Sequence, residues 1–208
     1  MTTPRDLLII ALDTAASRRL ERGDLSLALA GAELLDLLSA QAITLDGEHI
    51  VPGYRPTLDD HLLDEAAAAL VRQAPYESVD DWLWRRGRGL AASYLTALEA
   101  DGQLTRQREG RRPFRTTRTV LTDSPARRQA AYRWSSEEPV LTALAHAVGI
   151  HDAQAANSPE HTLEHTPDPP DDVATVLAAL HEALSHLEFE RQRRALHDAA
   201  FDNIWRGD

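Results

Sequence analysis

The chain has no cysteine, no lysine, one methionine, three phenylalanines and no apolar run of membrane-spanning length. Without cysteine there can be no disulfide, thiolate metal site or cysteine nucleophile, which fits a reducing, cytoplasmic setting. The apolar run nearest the start, Leu7 to Leu12, is only six residues long and is bounded by Asp6 and Asp13. That is too short for a signal-peptide core or a membrane span, so any membrane contact is expected to be peripheral. Catalytic signatures are missing too: there is no G-x-S-x-G, no Gly-rich phosphate loop and no Asp cluster with Mg or Ca spacing.

Nine histidines invite a metal hypothesis, which their spacing opposes. His181 and His186 lie five apart, which on a helix turns the two rings about 140° away from each other. His161 and His165 have the right interval but sit in a Pro-rich stretch, and His146 and His151 flank a helix end, where His is common. The expectation is a non-catalytic protein without cofactor or metal.

What the chain does have is arginine. All 22 basic residues are Arg, against 33 acids and a net charge of −11. The window Arg85–Trp134 holds twelve of them against four acids, whereas both flanks are strongly acidic. Guanidinium is permanently charged and can grip phosphate or carboxylate oxygens in a two-pronged fork. Such a block usually marks a surface for something anionic, namely lipid headgroups, nucleic acid or an acidic protein. The plainer alternative is that these arginines are solvated and pair with the acidic flanks.

Leu and Ala dominate the apolar residues and β-branched residues are few, which favours helix. At 208 residues the chain suits one domain with a real core. Helices are predicted at 4–13, at 25–40 with Leu27, Gly31, Leu34, Leu35 and Leu38 on one face, and at 58–73 capped by Thr57. Another starts at Ser78 and runs to Ala100, with a kink or break possible at Gly87 and Gly89. Ser124-Pro125 and Pro139 open two more, and a long final helix spans Val173 to about Trp205 with Val176, Leu177, Leu180, Leu184 and Leu187 as its apolar stripe. Two hairpins are predicted: AITLDGEHIV, turning at Asp46-Gly47 in type I′ fashion, and a basic, protruding one over 103–122 around Gly110 and Pro113. Residues 150–172, acidic and Pro-rich, read as a flexible loop. The fold class is mainly α: a single helical domain over 1–208 with two short β-hairpins.

Four pieces of the chain resemble the Golgi phosphoprotein 3 family, as a bacterial member. They are LLIIALD, LSLALAGAELLDLLSAQAITLDGEHI, RGRGLAASYLTALEADGQLTRQREGRRPFRTTRTVL and PVLTALAHAVGI, in that order. The resemblance implies a mostly helical domain with a protruding hairpin, acting as a peripheral membrane adaptor. Eukaryotic relatives bind phosphatidylinositol 4-phosphate in a basic pocket and retain glycosyltransferases through their cytosolic tails. Of that pocket only Arg88 carries over. Positions where relatives place Arg fall on Ala30 and Ala91, and the pocket tryptophan has no counterpart before Trp82. The resemblance thus supplies Arg88 alone, and the dense arginine field around it supplies Arg85, Arg86, Arg112 and Arg115; together they form the expected anion site, for anionic headgroups of phosphoinositide type.

Two other functions fit the charge block. The helix and basic hairpin after Leu90 have the order of a winged-helix DNA-binding regulator, although residues 90–100 offer no Arg, Asn or Gln to read bases. An acidic protein, or the acidic region of a second copy in a self-associating scaffold, is the third possible partner.

Overall fold

Asp6 and Asp13 bracket a stretch so uniformly apolar that it has no natural solvent face. In the computed structural model it forms α1 (Thr3–Thr14), with Leu7 to Ala11 all buried. The next Leu- and Ala-rich stretch forms α2 (Arg22–Ser39), buried from Leu25 to Leu35 and again at Leu37. A helix that is apolar all round is stable only inside other elements. The remaining helices supply that cover. The five-residue face expected for 25–40 thus understates α2, which packs on most of its circumference.

The structure describes residues 2–14, 20–54, 56–109, 116–151 and 169–205, and at 106–109, 116–119 and 199–205 it describes the backbone alone. Among them are eight helices and two separate two-stranded antiparallel sheets. Helices α3 (His61–Ala68), α4 (Val79–Arg86) and α5 (Leu90–Ala100) pack along α2. Helices α6 (Pro125–Ser135) and α7 (Pro139–Ala147) pack against α1. Helix α8 (Asp171–Trp205) crosses α2, α4 and α7 with Val176, Leu180 and Ala183 buried beneath it. Its 35 residues span about 50 Å, and residues 192–198 are exposed throughout.

Several boundaries differ from expectation for local physical reasons. Helix α3 starts at His61, because the Asp60 carboxylate accepts from Leu62 N (3.0 Å) and Leu63 N (3.2 Å) and so caps it better than Thr57 would. It ends at Ala68, short of residue 73. The first hairpin pairs β1 (Ile43–Asp46) with β2 (His49–Pro52), Asp46 opposite His49, so Gly47 and Glu48 form the turn. Positive φ is confined to Gly47 (+60°), the signature of a II′ turn rather than the expected I′. This hairpin ties down the start of α4: Val79 N donates to Glu48 O and Ile50 N to Glu77 O, both at 2.9 Å.

Ser78 and Ser124 cap α4 and α6 as the sequence indicates, accepting from Asp81 N and Arg127 N at 3.1 Å. Pro139 opens α7, with Glu138 accepting from Leu141 N at 2.9 Å. The second hairpin pairs β3 (Leu104–Glu109) with β4 (Thr116–Leu121), Leu104 opposite Leu121. Its tip, including Arg112, Phe114 and Arg115, lies outside the described residues, as does most of the Pro-rich loop.

Candidate functional site

The stretch W-L-W-R-R-G-R-G-L carries the three helical arginines of interest. It does not form one continuous helix. Helix α4 stops at Arg86, Gly87 caps it, and Gly89 takes φ +73° before α5 begins at Leu90. Gly87 leaves no space for a side chain: a Cβ there would sit 2.5 Å from Leu83 O and 3.2 Å from Leu27 Cδ2. Gly89 has open space but needs the left-handed conformation that glycine adopts cheaply. Arg88 is held between these two glycines, at the corner of a tight reversal.

The three arginines meet different surroundings. Arg86 is largely buried, and its guanidinium grips Glu33 of α2 with two hydrogen bonds, 2.8 and 2.9 Å, adding a third to Leu62 O at 3.0 Å. Glu33 is wholly buried and also accepts from Tyr94 OH at 3.0 Å. Burial pushes the Glu33 carboxyl above the usual carboxylate range, against the opposing pull of Arg86. The same burial, with the Glu33 charge nearby, holds the Tyr94 hydroxyl protonated far above its ordinary range. Arg85 makes a fork on Glu77 (2.6 and 2.7 Å), reaches Ala69 O at 3.3 Å, and lies 5.1 Å from the Trp82 ring centre. Trp82 itself is core, its indole N–H donating to Ala30 O (3.3 Å), whereas Trp84 is half-buried and donates to Asp80. Arg88 is exposed and has no partner among the described residues.

The same accounting extends through the charge block. Arg127 pairs with Asp13 (2.7 Å), Arg128 with Asp123 (2.8 Å), and Arg133 with Asp6 (2.5 Å) and Glu138 (3.0 Å). Acids from the flanks, Glu33, Glu77, Asp6, Asp13 and Glu138, thus neutralise most of the helical arginines. Of the block's arginines with described side chains, only Arg88 is left to face solvent alone. The six hairpin arginines, Arg112 and Arg115 among them, lie outside the described side chains.

The start of α5 offers less to an anion than a bare helix end would. Ala91 N is taken by Ser26 Oγ (3.2 Å), Ala92 N and Ser93 N by Gly89 O, and Leu90 N by Gly87 O. Ala30 and Ala91 are buried in the core, so neither opens space beside Arg88. The exposed residues of α5, Ala92, Ser93, Thr96 and Ala100, include no Arg, Asn or Gln to read base edges. Sequence reasoning missed Glu33, Glu77 and Tyr94 as parts of this arrangement. The one signal was a lone Glu inside the Leu- and Ala-rich run of α2, where a carboxylate must have a partner to be buried.

The sequence pieces that carry the resemblance fold into one connected frame: α1 beside α2, and α2 beside the α4–α5 reversal. The family profile described as Golgi phosphoprotein 3 (GPP34) matches residues 4–205, nearly the whole chain. The chain belongs to the Golgi phosphoprotein 3 family. Curated proteins yield no match to it. Membership suggests a non-catalytic role of lipid-binding or adaptor type. Among the described residues, no helix is long and apolar enough to cross a membrane, and no group of His, Asp and Glu gathers as a metal ion would require.

Proposed function

We propose that this Golgi phosphoprotein 3 family member is a non-catalytic adaptor that docks peripherally on anionic, phosphoinositide-like headgroups at the cytoplasmic face of a membrane. The observation that carries this reading is Arg88, unpaired among the described residues and presented on a rigid Gly-Arg-Gly corner. Arg85 stands beside it with a partly exposed side chain, and Arg112 and Arg115 of the hairpin add charge. Arg86 contributes from below: its buried pair with Glu33 locks α4 to α2 and fixes the corner that holds Arg88. The missing counterparts at Ala30 and Ala91 favour charge-driven docking over a closed, lipid-specific pocket.

Co-sedimentation with phosphatidylcholine vesicles, with and without phosphatidylserine or a phosphatidylinositol monophosphate, tests this reading. Binding should require anionic lipid and fall as salt rises, since each arginine near such a surface contributes about 1 kcal/mol and is screened within a Debye length. Equal binding to neutral and anionic vesicles, or binding to neither, would refute it. A sequence-specific complex in a gel shift would instead favour the DNA-binding alternative.

A further inference from the structure

A groove of about 1390 Å³ opens where the C-terminal end of α2 meets the starts of α1, α6, α7 and α8. Arg88 lies elsewhere: its corner packs on Ser26 and Leu27, whereas the groove begins at Leu35, about 12 Å further along α2. The groove is mostly apolar, walled by Leu35, Leu38, Val140, Ala143 and Leu177. A cleft of this size and lining suits a small amphipathic molecule.

Four carboxylates line it, Asp6, Asp36, Glu138 and Asp172, against one guanidinium, Arg133. Two of the four are explained by the fold. Glu138 caps α7, and Asp172 sits in the positive first turn of α8. The other two are not. Asp36 lies in the last turns of α2, at the negative end of the helix dipole, where a carboxylate is disfavoured and no basic residue follows. Glu33, Asp6, Asp60 and Asp24 each hold an arginine, whereas Asp36 holds none: it accepts the backbone N–H of Thr3 at 2.8 Å, with the Thr3 side chain and the Arg133 charge near enough to favour its ionised form. Asp6 gives Oδ2 to Arg133, while its buried Oδ1 has no donor at all. Arg133 is already balanced by Asp6 and Glu138.

We infer that this groove binds a small cationic amphiphile, its apolar body on the Leu35–Leu177 wall and its protonated amine on Asp36, with Asp6 behind adding negative field. Burial raises the proton affinity of both carboxyls, as expected for acids that lack their full complement of donors.

The test is isothermal titration of the full chain with octylammonium, octanol and octanoate. Octylammonium should saturate at one site and bind at least about tenfold more tightly than octanol, the scale of one hydrogen bond to a charged group. Asp36→Asn should remove that advantage while leaving octanol and anionic-vesicle binding unchanged. Ala143→Phe, which fills the groove, should abolish binding of all three while circular dichroism shows a native fold. Three results would overturn the inference: no saturable binding, equal affinity for the three probes, or octylammonium binding that Asp36→Asn leaves intact. Preference for octanoate would also overturn it, since the helix N-termini would then set the sign. So would octylammonium binding that weakens as protein concentration rises, which would show a second copy occupying the groove.

Discussion

Arg86 and Arg88 are two residues apart and do opposite jobs. Arg86 is spent on a buried carboxylate, and Arg88 is held out to solvent. Removing one partner of a buried ion pair strands the other, which costs more than the pair itself contributes. Arg86→Ala should therefore destabilise the fold by about 3–5 kcal/mol, read as a lower denaturant midpoint. Arg88→Ala should shift stability by less than about 0.5 kcal/mol, as surface changes do. If both changes cost the same, the division of labour between them is wrong. That the arginines would pair with the acidic flanks was legible in the sequence as the plainer alternative; which acid each one meets was not. Arg86 reaches Glu33 across 53 residues, Arg127 reaches Asp13 across 114 and Arg133 reaches Asp6 across 127. A charge window measures density; which arginine meets which acid is decided by helix packing.

At the scale of elements the sequence was far more informative, because caps and turns are local chemistry. Ser78, Ser124-Pro125 and Pro139 mark real helix starts, and the Gly87/Gly89 spacing marks a real break. The misses were choices among neighbouring signals. Thr57 lost to Asp60, whose carboxylate reaches two amides, and the first hairpin turned one residue later than its Asp-Gly dipeptide suggested. The hairpin's basic character was visible from composition, but its protrusion rests on the tip, outside the described residues. The α4–α5 break carries its own prediction. Gly89→Ala should cost about 1 kcal/mol, because φ +73° strains any residue with a Cβ. Gly89→Asn should cost less, since Asn tolerates this conformation. Both should weaken binding to anionic vesicles by disturbing the corner. Equal stability of all three proteins in urea would show that the corner is not strained.

Across the whole molecule, buried acids set an unusual pH response. Burial raises the carboxyls of Glu33, Asp6 and Asp36 above their ordinary values. The folded chain thus takes up protons at higher pH than the unfolded chain does. The linked stability is fully present below the ordinary carboxylate range and is lost as pH rises through the folded values. Glu188 and Glu190 shift the opposite way but lie exposed on α8, where solvent screens them. Burial also holds His146 below its ordinary value, which opposes the carboxyls as pH falls through the histidine range. The carboxyl contribution is therefore read by difference: Asp36→Asn should flatten the loss of urea midpoint as pH rises above the ordinary carboxylate range. Wild-type and Asp36→Asn profiles of equal slope would contradict this. The proposed membrane role rests on one exposed guanidinium, so the most direct test compares Arg88→Ala, Arg88→Lys and wild type for binding to anionic vesicles per folded molecule. Arg88→Ala should weaken binding by about 1–3 kcal/mol at unchanged thermal stability, and Arg88→Lys should restore only part of it if the contact is forked. A lowered melting temperature with unchanged vesicle binding would make Arg88 a structural brace and contradict the account.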